Sequence, residues 1–225
     1  MKTARLVLAA LLAAGTAVAG ASSTCHGSVK QGSLEDGVQL PADGANFSVY
    51  STLGAAMGRN YVHSEVAAIM LGAYAKLERA APGSQYVYGE TGFVNGGRIR
   101  PHRTHQNGLS VDFFVPVRDR KGRPARLPMP ASQHFGYDIE FDGAARYGEY
   151  SIDFAALGEH LYQLDLAARA RGQGIAQVIF DTAYLPRLFD TPHGAALKQL
   201  NFMKGKPWVR HDEHYHVDFA IACLN

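Results

Sequence analysis

Pro101–Pro116, PHRTHQNGLSVDFFVP, and Trp208–Phe219, WVRHDEHYHVDF, decide how this chain is read. Together they hold His102, His105, Asp112, His211, His214 and His216, residue types that bind a divalent metal or work beside one. In the first stretch His105 precedes Asp112 with a turn between them at Asn107-Gly108, since both residues tolerate positive φ. Ser110–Val117 is apolar and β-prone around a single carboxylate. An unpaired carboxylate among Val111, Phe113 and Phe114 would be costly, so Asp112 requires a cation or strong donors. In the second stretch a strand is expected over His214–Ala222. Residues two apart in a strand share a side, so His214 and His216 face one way and Tyr215, Val217 and Phe219 face a core. His211 is out of step with this alternation and must reach any shared site from a bend before the strand.

Zinc takes imidazole nitrogen and carboxylate oxygen where thiolates are absent, and a catalytic site uses three such ligands with a fourth position open for water. Any one of these histidines taken alone is more often a surface or structural residue. The weight lies in H-x6-D and H-x2-H-x-H occurring together in one small chain.

Around these stretches the pattern is mixed. Ser22–Tyr50 reads as loop and short extended pieces. His63–Ala81 is helical, with Val66, Ile69, Met70, Ala73, Tyr74 and Leu77 on one face and Pro82-Gly83 as its stop. Gln85–Tyr88 and Ala176–Phe180 are strands, the second a buried one. Arg118–Gln133 is a charged connection, an exposed turn or lid. Asp153–Arg171 is a second amphipathic helix with Asp153 as N-cap. Thr191-Pro192 opens a third helix running through Met203. Irregular interleaving of helices and strands favours an α+β fold over regular β-α-β winding.

Length and composition set the outer bounds. The 225 residues fit one domain with a full core. Met1–Ala21 has a positive start, a short apolar run and small-x-small cleavage sites, the marks of a signal peptide. Residues 22–225 are then expected to form a single domain, and no later stretch is apolar for long enough to span a membrane. The chain has 22 Lys and Arg against 20 Asp and Glu. Removing Lys2 and Arg5 leaves 20 against 20, so nucleic acid is a poor partner. Two cysteines, Cys25 and Cys223, stand near the ends of the exported chain. Export permits a disulfide between them, worth ~2–5 kcal/mol; a lipid-modified Cys25 and a pair of free thiols are the alternatives.

Gly96-Gly97-Arg98, His102-x2-His105-Gln106-x-Gly108-Leu109-x-Val111-Asp112 and His211-x2-His214-x-His216-Val217 resemble the penicillin-insensitive murein endopeptidases. These belong to the broader group of lysostaphin, D-Ala-D-Ala peptidases and hedgehog proteins. The resemblance implies a small antiparallel sheet carrying the metal with helices outside. It implies Zn2+ held by His105, Asp112 and His216, with His214 catalytic and His102 and His211 as further active-site histidines. It implies peptidoglycan as the substrate, cut at the cross-link between D-alanine and meso-diaminopimelate, in the periplasm or outside the cell. A bridge joining the two chain ends also has a counterpart in the family, which favours Cys25–Cys223. The chain departs from the family in lacking its further cysteines. Glu213 stands where related D-Ala-D-Ala dipeptidases and carboxypeptidases place a catalytic Glu, three residues before the last zinc histidine. Strand alternation points Glu213 away from the metal unless the strand begins after it, and an exposed Glu is the favoured reading there. A carboxypeptidase or dipeptidase using Glu213, and a zinc-containing module that only binds peptidoglycan, are the two alternative functions. Arg98 or Arg100 is a candidate for holding a stem-peptide carboxylate.

Overall fold

A computed structural model of the protein describes residues 22–205, 207 and 209–225. The leader expected at Met1–Ala21 lies outside them. The fold is α+β, and its centre is a five-stranded sheet. Its strands in chain order are β1 (Phe47–Val49), β2 (Tyr86–Tyr88), β3 (Ser110–Phe114), β4 (Gly174–Ile179) and β5 (His214–Ala220). Their spatial order is β4-β5-β3-β2-β1. All neighbours run antiparallel except β1 and β2, which are parallel, so the sheet is antiparallel where the two motif strands meet.

The register of β5 on β3 follows from their shared alternation. His216 lies opposite Asp112, Asp218 opposite Ser110, and His214 opposite Phe114. Tyr215 pairs with Phe113 and Val217 with Val111 on the other side of the sheet. A slip of one residue would turn both imidazoles into the apolar core, which is what pins the register.

Two long helices cover the apolar side. Helix α1 (Ser64–Ala80) starts at His63, whose Nδ1 accepts the Glu65 amide, and buries the stripe expected from its sequence. Helix α2 (Phe154–Ala170) starts at Asp153, which accepts the Ala156 amide, and buries Leu157, Leu161 and Leu164 completely. Each such leucine contributes ~1.5–3 kcal/mol. His160 of α2 packs edge-on against Phe113 of β3 and stacks on Tyr74 of α1, so helices and sheet share one core.

The third helix expected over Thr191–Met203 forms only as a single turn within that range, Gly194–Leu197. Another single-turn helix, Leu185–Phe189, precedes Thr191-Pro192. The chain leaves helical geometry because it has better partners on the sheet edge: Val178 of β4 donates to the Asn201 carbonyl and accepts from the Met203 amide. The strand expected to be buried at Ala176–Phe180 is β4, and it is buried only at its Val178–Ile179 end, because its far side is an edge. The strand expected to run to Ala222 ends at Ala220.

Cys25 and Cys223 form a disulfide. It ties an N-terminal hairpin, Thr24–Ser28 with Gln31–Glu35, to the segment after β5. Backbone hydrogen bonds between Gly27 and Leu224 and between Leu224 and Cys25 reinforce the join. Among the described residues no helix is long and apolar enough to cross a membrane.

Candidate metal centre and active site

The polar side of β3 and β5 is the floor of a cleft of about 720 Å³. All six sequence-predicted residues come together here. His102, Asp112, His211, His214 and His216 line the cleft, and His105 lies beneath, fully buried.

Asp112 is the centre of the group. Its Oδ1 is 2.9 Å from His216 Nδ1 and 3.3 Å from His105 Nε2. Its Oδ2 accepts the Tyr137 hydroxyl at 3.0 Å and faces His102 Nδ1 at 3.7 Å and His214 Nε2 at 4.0 Å. Burial opposes charge on this carboxylate, yet the imidazoles around it hold its pKa well below the usual carboxylate range.

His105 reaches the floor from a left-handed backbone conformation, φ 68°. The turn expected after it closes at Gly108, φ 76°, where a Cβ would meet the Leu34 side chain and the His63 amide inside 3 Å. His105 Nδ1 donates to the Thr91 carbonyl at 3.2 Å, which leaves Nε2 as the lone-pair nitrogen of the neutral ring. That Nε2 is buried and makes no hydrogen bond. Two acceptors facing each other at 3.3 Å need a proton or a cation between them. His102, His105 and Asp112 each bring a ligand atom within 4.8 Å of the others, a group able to hold a metal ion.

His216 is clamped at both ends, Nδ1 against Asp112 and Nε2 against Asp218 Oδ1 at 2.7 Å. Burial lowers its pKa, but Asp218 and Asp112 outweigh burial and raise it to about 10. The two carboxylates that favour positive charge on this ring also favour a cation near it. His214 sits beside it with Nδ1 2.6 Å from Glu213 Oε1; burial opposes its charge, and Glu213 and Asp112 raise its pKa above the ordinary value.

Glu213 is not the exposed residue its position in the alternation suggests. The strand begins at His214, so Glu213 is outside the pleat and turns inward, buried against His214. His211 does reach the cleft from the bend before β5. Its ring lies 4.6 Å from that of His214, its Nδ1 donates to the Val209 carbonyl, and burial first, then His214, lowers its pKa to about 4. His102 stacks edge-on to His105 and Tyr137, and burial lowers its pKa to about 3.

Several members of the site carry no motif. Tyr137 comes from a loop after Ala131–Gly136 in which His134 and Phe135 are both left-handed. Its hydroxyl also accepts the Glu90 amide at 2.8 Å, so one side chain ties this loop to the floor. Glu90 is gripped through both oxygens by Arg59 Nε at 2.8 Å and is bonded by the Tyr50 hydroxyl. Arg100 borders the cleft and Arg98 does not. Of these additions only Asp218 could have been read from the sequence, since it continues the His214–His216 alternation. Tyr137 and Glu90 meet Asp112 only through tertiary folding.

A carboxylate ringed by imidazoles at the floor of an open cleft is the kind of site that metal-dependent hydrolases use. The model of the penicillin-insensitive murein endopeptidase family matches residues 25–224, and the chain belongs to that family. Membership makes it a peptidase of murein, with peptidoglycan as its substrate. The Cys25–Cys223 disulfide fits an oxidising compartment. No curated protein matches the chain.

Proposed function

We propose that the protein is an exported zinc peptidase that hydrolyses the D-alanyl–meso-diaminopimelate cross-link of peptidoglycan. Met1–Ala21 would direct export, and residues 22–225 would act as one peptidase domain. In this reading His105 Nε2, Asp112 Oδ1 and His216 Nδ1 hold the zinc. What supports it is that His105 Nε2 and His216 Nδ1 each face Asp112 Oδ1, at 3.3 and 2.9 Å, and that His105 Nε2 has no hydrogen-bond partner among the described residues. His102 is the less favoured ligand because it faces Oδ2, the oxygen already taken by Tyr137.

Zinc, when bound, supplies Lewis acidity, lowering the pKa of a water toward ~7 and polarising the scissile carbonyl. His214 is the proton carrier. Its Nδ1–H is committed to Glu213, so Nε2, facing the cleft floor, takes a proton from the attacking water and returns one to the departing amine. Glu213 thus positions His214, and its buried, occupied carboxylate favours this role over that of a free base. His211 holds its ring through Nδ1 on the Val209 carbonyl and stands beside His214, where it can assist at the departing amine. His102 lines the same cleft and can donate to the oxyanion. Arg100 is placed to meet a stem-peptide carboxylate.

Defined muropeptide dimers incubated with the protein, with and without chelator, test this. Chelator-sensitive release of monomers is expected, and Arg100→Ala should raise KM more than it lowers kcat. Release of free D-alanine from a monomeric pentapeptide would instead favour a carboxypeptidase. A chelator-sensitive melting temperature with no product from either substrate would favour a binding module.

A further inference from the structure

We infer that Asp218 is a positioning residue for the metal: by accepting the Nε2–H of His216, it fixes the imidazole tautomer whose Nδ1 lone pair faces Asp112 Oδ1. This rests on His216 being a zinc ligand, as proposed above.

The strand register places the residues. Asp218 and Ser110 form the cross-strand pair next to His216 and Asp112, on the same side of the sheet. Asp218 is 6 % exposed. Its Oδ1 receives the Ser110 hydroxyl at 2.5 Å and lies 2.7 Å from His216 Nε2. A neutral imidazole carries one N–H, and whichever nitrogen keeps it cannot ligate. With a carboxylate fixed on Nε2, that nitrogen keeps the hydrogen and Nδ1 is released to the ion. Ser110 in turn holds the carboxylate, so its donor fixes the rotamer rather than the charge. Among the described residues this buried carboxylate has the Ser110 hydroxyl and the His216 imidazole at hydrogen-bond distance, and it gains from a cation shared through the ring, as partners behind metal-binding histidines do.

The site therefore has two levels on β3 and β5. His216 and Asp112 face the ion, and Asp218 and Ser110 stand one pair behind them. A purely structural pair would stabilise the sheet equally with and without metal.

Zinc affinity of the full chain, measured by competition of Zn2+ with a chromophoric chelator, separates these roles. Asp218→Ala should weaken zinc binding about 10–100-fold. Asp218→Asn keeps an acceptor for Nε2–H but loses the charge, and should weaken it by a smaller, still measurable factor. Either folded variant binding zinc as tightly as the native chain, with only its melting temperature lowered, overturns the inference. If Asp218→Ala does not fold, Asp218→Asn decides alone, and unchanged affinity there overturns it. His216→Ala is the reference. Retention of native zinc affinity in that variant overturns the ligand assignment itself, and that outcome is distinct from failure at Asp218.

Discussion

His160 and His216 lie on opposite sides of one sheet, both buried, and they have opposite chemistry. His160 sits in a box of Tyr74, Tyr86, Phe113 and Tyr215. Its Nδ1 bonds the Tyr215 hydroxyl, its Nε2 has no partner among the described residues, and burial pushes its pKa down to about 3. His216 is equally enclosed but stands between two carboxylates, which raise its pKa to about 10 against the same burial. Burial disfavours the charged ring in both cases. The neighbouring negative charge, and not the histidine or its depth, makes one side of the sheet suited to a cation and the other a core.

The largest test of this contrast removes the charge. Asp112→Ala should reduce bound zinc to background and abolish muropeptide hydrolysis, both measured on one sample. Normal zinc content in that variant would break the comparison, since imidazoles alone would then suffice. His214→Ala comes next. It should keep stoichiometric zinc while losing ~10²–10⁴-fold in hydrolysis. Retained activity would remove His214 from the chemistry.

The smallest effect is expected on the core side. His160→Phe should leave zinc content unchanged and alter only the acid sensitivity of folding. The folded pKa of His160, about 3, lies below the ordinary value near 6.5. Between those pH values the unfolded chain binds the extra proton. The stability gained from keeping the ring neutral is thus complete above about pH 6.5 and drains as pH falls toward 3, by at most ~1.4 kcal/mol per pH unit. Denaturant melts of chelator-treated protein from pH 7 to 4 should show a shallower acid slope for His160→Phe than for the native chain. Equal slopes would show that His160 does not report burial alone.

The contrast also explains how much could be read in advance. Helices α1 and α2 were legible because their apolar stripes and end residues are local signals; Asp153 caps α2 as the sequence suggests, and His63, read as the first helical residue, is the cap of α1. That His102, His105, Asp112, His211, His214 and His216 would meet at one cleft was legible from their spacing on two segments. Thr191–Met203 was misread because the pull of the β4 edge on Asn201 and Met203 outweighs local helix propensity, a long-range competition no window of sequence contains. Glu213 was misread because alternation was extended one residue past the start of β5.

The sequence by itself determined the donors: which strands carry imidazole and carboxylate, which of their sides is apolar, and that the chain ends can be bridged. These follow from residue chemistry and from periods of two and three to four along the chain. Only the tertiary structure decided that His105 turns its Nδ1 to the Thr91 carbonyl, that Tyr137 and Asp218 stand behind Asp112 and His216, and that Glu213 turns inward to His214. Those outcomes depend on contacts between segments up to a hundred residues apart, where orientation is set by cross-strand register and by the carbonyls and carboxylates that folding places behind each ring.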